Sequence, residues 1–337
     1  MSVDELLKAL DPAREVRQWP SASRLDWATL ASGPAPATGA RSSRWRRRAL
    51  VGAVVTSAAA VAGGLIIVQV TGPSAPVYAA TPPPLQLQYA DAAPPARDEL
   101  LRLAAAIEST PAGARPTGRF SFVRVGQWSL DFSSGRGRTE VGMVPQLIST
   151  WRAADGSGKV ATVTLDRAGV ADAPDVQGLV DAAARGEAEV DAYAPGQMGA
   201  VVAEPVPTDV DALERALYAH QPRSNGPQSA VRAVADLYRN NTVDQDVRVA
   251  ALRFLARADG VFLRGTVTDR LGRPGLGVSV DDPDKGTRDL LVIDRRTGLL
   301  LAHESMFLRR PEQLPVKIPA VFGYVLYLDQ DRRDNTS

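Results

Sequence analysis

Side chains able to carry chemistry are few in this sequence. There is no cysteine, so disulfides, thiolate metal sites and a cysteine nucleophile are excluded. The two histidines are His220 and His303. A zinc site needs three or four N, S or O ligands, and neither histidine has neighbours at the usual ligand spacings. A serine activated by His303 would need to be presented to it, and no Gly-x-Ser-x-Gly turn does so. His220 ends a predicted helix, where a cation complements the dipole. His303 lies in a predicted strand beside Glu304. Both are read as structural.

Asp281, Asp282 and Asp284 precede Lys285-Gly286, but the twelve-residue spacing of a calcium loop is missing, so the cluster reads as a turn. Gly265, Gly272, Gly275 and Gly277 are interleaved with Arg264, Arg270 and Arg273. No strand–glycine loop–helix context surrounds them, which argues against a phosphate cradle. Asn240-Asn241-Thr242 matches the glycosylation acceptor pattern, a three-residue match that is common by chance. The sequence specifies no catalytic, cofactor-binding or metal-ligating set, and a non-enzymatic role without cofactors is expected.

Positioning such residues falls to a long C-terminal region. Residues 94–108 read as a helix with Asp98 and Glu99 in the first turn and Leu100, Leu103, Ala104 and Ile107 on one face. From residue 119 the apolar period becomes two. Residues 119–125 and 127–132 read as strands on either side of Gly126. Residues 147–153 and 159–165 flank Ala154-Asp155-Gly156-Ser157-Gly158, a hairpin signal because Asp-Gly and Gly supply positive φ. Residues 166–200 read as irregular, with a short helix near 176–185. A helical block follows: a capped start at Thr208-Asp209 running to residue 219, a second helix after Pro227, and a third lined by Val247, Ala251, Phe254 and Leu255. Strands at 261–269, 276–281, 288–294, 299–308 and 320–328, separated by glycine turns, read as an antiparallel meander. Residues 329–337 read as a frayed, charged tail. The absence of βαβ rhythm gives an α+β class: one transmembrane helix plus an extracytoplasmic domain, its mostly antiparallel meander sheet covered by helices.

The transmembrane helix is residues 49–70, which contain no charge. At ~1.5 Å per residue they reach roughly 33 Å, enough for a ~30 Å hydrocarbon core. Arg41, Arg44, Arg46, Arg47 and Arg48 stand directly before this stretch, and the next charge after it is Asp91. Basic residues stay on the cytoplasmic side, so residues 1–48 are expected inside and the rest outside. The same arginines suit anionic headgroups of the bilayer, and Trp45 suits the interface. A signal peptide cut after Ala79 is the rival reading; the long leader and the length of the run favour an uncleaved anchor. Gly52, Thr56, Ala60 and Gly64 form a small-xxx-small face on which a homodimer could pack.

Whole-chain charge is nearly balanced, with 39 Lys plus Arg against 38 Asp plus Glu in 337 residues, so composition gives no signal for nucleic acid. Residues 1–48 have too few apolar groups for a core. Leu6, Leu7, Leu10, Trp19 and Trp27 could anchor them on a cytoplasmic partner as a docking peptide. Residues 71–93 form a linker whose prolines (Pro73, Pro76, Pro82, Pro83 and Pro84) favour extended polyproline geometry. The domain proper is residues 94–337.

Several short motifs recur in a known family. They are Leu10-Asp11-Pro12-Ala13-Arg14, the arginine-flanked span, Tyr78-Ala79-Ala80-Thr81-Pro82, the 154–158 turn, Leu255-Ala256-Arg257-Ala258-Asp259-Gly260-Val261, Gly272-Arg273-Pro274-Gly275 followed by Gly277-Val278, and the 293–301 segment beginning Ile293-Asp294. Together they resemble an actinobacterial family of single-pass membrane proteins of unknown function, often encoded beside extracytoplasmic-function sigma factors. The resemblance implies a bacterial cytoplasmic-membrane protein, a regulator or sensor, with a sigma factor as a partner of the tail. It carries over no catalytic residue. The His and Cys zinc pattern of ordinary anti-sigma factors is absent from residues 1–48, so sigma binding would need another mode. The alternative from fold analogy is an extracytoplasmic lipid or lipoprotein binder built on a curved antiparallel sheet.

Overall fold

The computed structural model describes residues 81–336, apart from 114, 136, 137, 167–174, 313 and 315. The expected membrane span, its arginine flank, the docking anchors and the small-residue face lie outside the described residues. Among those described, no helix is long and apolar enough to cross a membrane.

Among the described residues, nine strands form one antiparallel sheet. They are β1 (Phe120–Gly135), β2 (Arg138–Ala153), β3 (Gly158–Thr164), β4 (Ala188–Tyr193), β5 (Val261–Thr268), β6 (Pro274–Asp282), β7 (Thr287–Ile293), β8 (Leu300–Phe307) and β9 (Ala320–Arg333). Their order is β4-β3-β2-β1-β9-β8-β7-β6-β5. This is two meanders joined where β1 pairs with β9. Among the described residues, five α-helices accompany the sheet: α1 (Arg97–Glu108), α2 (Val176–Ala184), α3 (Val210–His220), α4 (Ser229–Asn240) and α5 (Gln245–Arg257). The α+β class with a mostly antiparallel meander sheet is therefore observed.

The two faces of the sheet bury different material. On the first face, α1, α3, α4 and α5 pack over Val123, Val125, Val278, Leu291, Ile293 and Val325. The helices lie there because their apolar residues recur three and four apart, as in Leu100, Leu103, Ala104 and Ile107 of α1. Side-chain caps set the starts of α3 and, on the other face, of α2: Asp209 accepts from the Ala212 amide, and Asp175 from that of Gly178. On the second face, Trp128, Leu147, Leu290, Val292, Tyr324 and Leu326 pack with Leu179 and Ala183 of α2.

That second face is concave. Arg270 and Arg273, in the β5–β6 turn, reach Glu304 and the Leu301 carbonyl of β8 and the Tyr327 carbonyl of β9. Three strand spacings of ~4.8 Å separate β5 from β8 in a flat sheet. The contact requires curling, and register shifts at Leu263/Gly265, Val292/Ile293 and Ser305/Met306 supply it.

Four expectations are corrected. First, Gly126 does not break a strand, because β1 runs unbroken from Phe120 to Gly135. A Cβ at Gly126 would stand 2.9 Å from the Trp128 ring, so the glycine leaves room for the indole. Second, residues 188–193 form the edge strand β4 inside a stretch expected to be irregular. Its residues are largely exposed, so no burial pattern announced it. Third, residues 329–333 continue β9, since Phe120 to Arg124 of β1 need a partner there. Fourth, residues 83–90, expected within the linker, lie against the sheet. The Gln88 and Tyr89 amides donate to the Arg264 carbonyl at 3.1 and 3.3 Å, and Leu85 and Leu87 pack on the second face.

Candidate functional site

The concave face carries a polar group set inside an apolar lining. Glu304 projects from β8, opposite Tyr324 of β9 and Leu290 of β7. It is 1% exposed. Its Oε2 lies 2.6 Å from Nη2 of Arg270. The Arg270 guanidinium sits over the Tyr324 ring, 4.4 Å from its centre, and Tyr324 stacks on Trp128 at 4.6 Å between centroids with 14° between planes. A cation on an aromatic stack is stabilised by the ring quadrupole. The same Nη2 donates to the Pro83 carbonyl at 3.0 Å. Burial raises the Glu304 pKa; the Arg270 charge and the Leu85 backbone amide oppose that rise without cancelling it. Among the described residues, Oε1 of Glu304 and Nε of Arg270 are buried without a hydrogen-bond partner. An acceptor and a donor left open in one apolar concavity favour a ligand with a polar end and an apolar body.

A second polar cluster lies on the opposite face, under α4. Asp289 of β7 is 1% exposed. Arg232 donates to it through Nε at 3.2 Å and Nη2 at 3.0 Å. His303 Nε2 lies 2.8 Å from its Oδ1, and the Ser305 hydroxyl donates to the same oxygen at 2.8 Å. Burial by itself would raise this carboxyl; the Arg232 charge and the His303 hydrogen bond outweigh burial and hold it well below the usual carboxylate range. A serine, a histidine and an aspartate thus meet here. A nucleophile–base–orienter chain would run from serine to histidine to aspartate. Here serine and histidine both end on the aspartate, so the arrangement anchors α4 to the sheet.

The other residues singled out in the sequence are placed plainly. His220 pairs with Asp236 at 2.9 Å at the end of α3. Asp281 accepts from Nε and Nη2 of Arg288 at 2.6 and 2.7 Å. Asp282 caps the β6–β7 turn, accepting from the Asp284 and Lys285 amides. Among the described residues, no group of three or more His, Asp or Glu could hold a metal ion. Asn240 donates to the Asp236 carbonyl, and the Thr242 hydroxyl donates to the Asp331 carbonyl, so both ends of the acceptor pattern are used internally. In the glycine-rich stretch, Arg264 donates to Ser279 and to the carbonyls of Tyr89 and Ala90.

Sequence reasoning missed Glu304, Arg270, Trp128 and Tyr324 as a set. The readable signal was Glu304, a lone acid inside the apolar run Leu299 to Leu308.

No family model matches the chain, and no curated protein matches it significantly. Among solved structures, one similar to it is the crystal structure of MucB in complex with MucA(peri), at 12% identity and TM-score 0.25, over 70% of this chain and 55% of that one. Another is a DUF1329 family protein from Desulfovibrio piger, at 11% identity and TM-score 0.20, over 72% of this chain and 95% of that one. The chain therefore spans about half of the MucB chain.

Proposed function

We propose that this chain is a non-enzymatic, membrane-anchored protein of the bacterial cell envelope whose extracytoplasmic domain binds a ligand with an apolar body on the concave face of its sheet. The observation that carries the binding half is the buried Glu304–Arg270 pair, with an open acceptor and an open donor, set among Trp128, Tyr324, Leu290 and Leu326. A polar pair set in an apolar concavity can orient a ligand that has one polar end. Photolabelling with a diazirine fatty acid in phosphatidylcholine nanodiscs tests the reading on the full chain carrying Leu85→Ser and Leu87→Ser, since these two leucines pack on the same face and cover it. Adducts on peptides from β1, β8 and β9 are expected. Adducts confined to residues 49–70, or none, would overturn it.

The charge-free run at 49–70 and the arginines before it support the anchor and its direction, with the arginines against anionic headgroups. The motif resemblance to the actinobacterial family supports a link to a sigma factor, with Leu6, Leu7, Leu10, Trp19 and Trp27 as its contacts. A pull-down in which residues 1–48 retain no sigma factor would remove that half and leave ligand binding intact. A dimer through Gly52, Thr56, Ala60 and Gly64 predicts that Gly64→Leu abolishes cross-linking between copies.

A further inference from the structure

Residues 83–90 lie where a ligand of the concave face would lie. Arg270 holds the Pro83 carbonyl at 3.0 Å, the Leu85 amide acts on the Glu304 carboxyl, and the Leu85 and Leu87 side chains pack among the residues of that face. Alternation does this: in Leu85-Gln86-Leu87-Gln88 an extended chain turns both leucines the same way. Beyond Leu87 the chain aligns with the free edge of β5. The Arg264 carbonyl accepts from the Gln88 and Tyr89 amides, the Thr266 amide donates to the Gln88 side chain at 3.1 Å, and the Leu263 amide donates to the Pro94 carbonyl at 2.8 Å. Gly265, at φ +80°, is shaped for it: an added Cβ would stand 2.4 Å from Gln88 Oε1.

From these contacts we infer that residues 83–87 are a tethered occupant of the ligand site, and that the site reads an extended peptide segment with apolar side chains at alternate positions. This rests on the concave face being a binding surface, and it adds the chemical class of the ligand and a means of control. The grip is that of peptide recognition: a main-chain carbonyl on Arg270 and an apolar surface under every second side chain. A tether of this length gives the strap an effective concentration on the order of mM, so a competing peptide must bind well or the strap must be weakened. In the full chain the strap continues toward residues 49–70, so an incoming peptide would free the segment that joins the domain to its anchor.

The test uses a fluorescein-labelled peptide with the sequence of residues 81–90 and the full chain in phosphatidylcholine nanodiscs. Fluorescence anisotropy is expected to show weak binding to the unaltered chain. The double substitution Leu85→Ser/Leu87→Ser, which vacates the face, is expected to tighten binding at least tenfold, and adding Arg270→Gln is expected to reverse the gain. Near-UV circular dichroism establishes that each variant is folded. If a folded Leu85→Ser/Leu87→Ser chain takes up the diazirine fatty acid on its concave face but gains no affinity for the peptide, the strap inference fails and the binding function stands. If it takes up neither, both fail. A gain that survives Arg270→Gln would also overturn the assignment of the site.

Discussion

Asp289 and Glu304 are buried carboxyls on opposite faces of the same sheet, and their surroundings push them in opposite directions. Asp289 has Arg232, His303 and Ser305, and its charged form is favoured. Glu304 has Arg270 and an apolar wall, and burial raises its pKa above the ordinary glutamate value. The depressed pKa of Asp289 contributes stability that is present above its unfolded value of ~3.9 and is lost as pH falls toward the folded value. Asp289→Asn leaves Arg232 uncompensated beneath α4 and should cost about 3–5 kcal/mol in urea unfolding at pH 7. The gap between wild type and variant should narrow below pH 4; a gap that stays constant would mean that the ionised carboxyl is not what is lost. Little of this was legible in the sequence. Arg232, Asp289 and His303 come from a helix and two strands, and only the pairing of β7 with β8 sets His303 and Ser305 beside the aspartate.

Among elements, the strap and β5 depend on each other. Gly265 is the point at which this is sharpest, because it needs both a positive φ and an absent side chain. Gly265→Ala should cost ~1–2 kcal/mol from the backbone conformation alone, and the clash with Gln88 should lift the strap. Proteinase K cleavage within residues 81–93 should then accelerate severalfold while the rest of the domain stays resistant. Equal cleavage rates would show that the strap does not depend on the β5 edge. The 154–158 turn was legible because Asp-Gly fixes positive φ locally, and it does join β2 to β3. The Leu85–Gln88 alternation was present as well, but the prolines before it drew the reading toward a linker. Whether an alternating stretch seats on a sheet depends on there being a free edge to receive it, here that of β5.

Across the whole domain, the pairing of β1 with β9 is the contact that makes two meanders one sheet. The Arg333 guanidinium lies 3.4 Å from the centre of the Phe122 ring, and the backbone pairs from Phe120 to Arg124 close the seam. Deleting residues 329–337 should destabilise the domain by on the order of 2 kcal/mol or more, since it removes several ladder hydrogen bonds and this cation–ring contact. An unchanged melting temperature would make the end of β9 dispensable. The chain has no cysteine, which makes orientation testable at the same scale. With single cysteines at Ser23 or Asp98, an impermeant maleimide should label Asp98→Cys in intact cells and Ser23→Cys only after lysis. The reverse pattern would invert the proposed topology.

By itself the sequence determined what local chemistry can encode. That comprises the excluded thiolate chemistry, the helices with their three-and-four spacing, the glycine-marked turns of the C-terminal meander and the α+β class that follows from their order. Tertiary structure decided what depends on residues far apart in the chain. It continued β1 through Gly126, paired β1 with the end of β9, seated the strap on β5 and placed Arg270 on Glu304 and Tyr324. Period and turn chemistry act over a few residues and leave a trace in the letters. Strand order, curling and the partner of a buried charge arise when segments as distant as Pro83, Arg270 and Glu304 share one concavity, and no local pattern records that meeting.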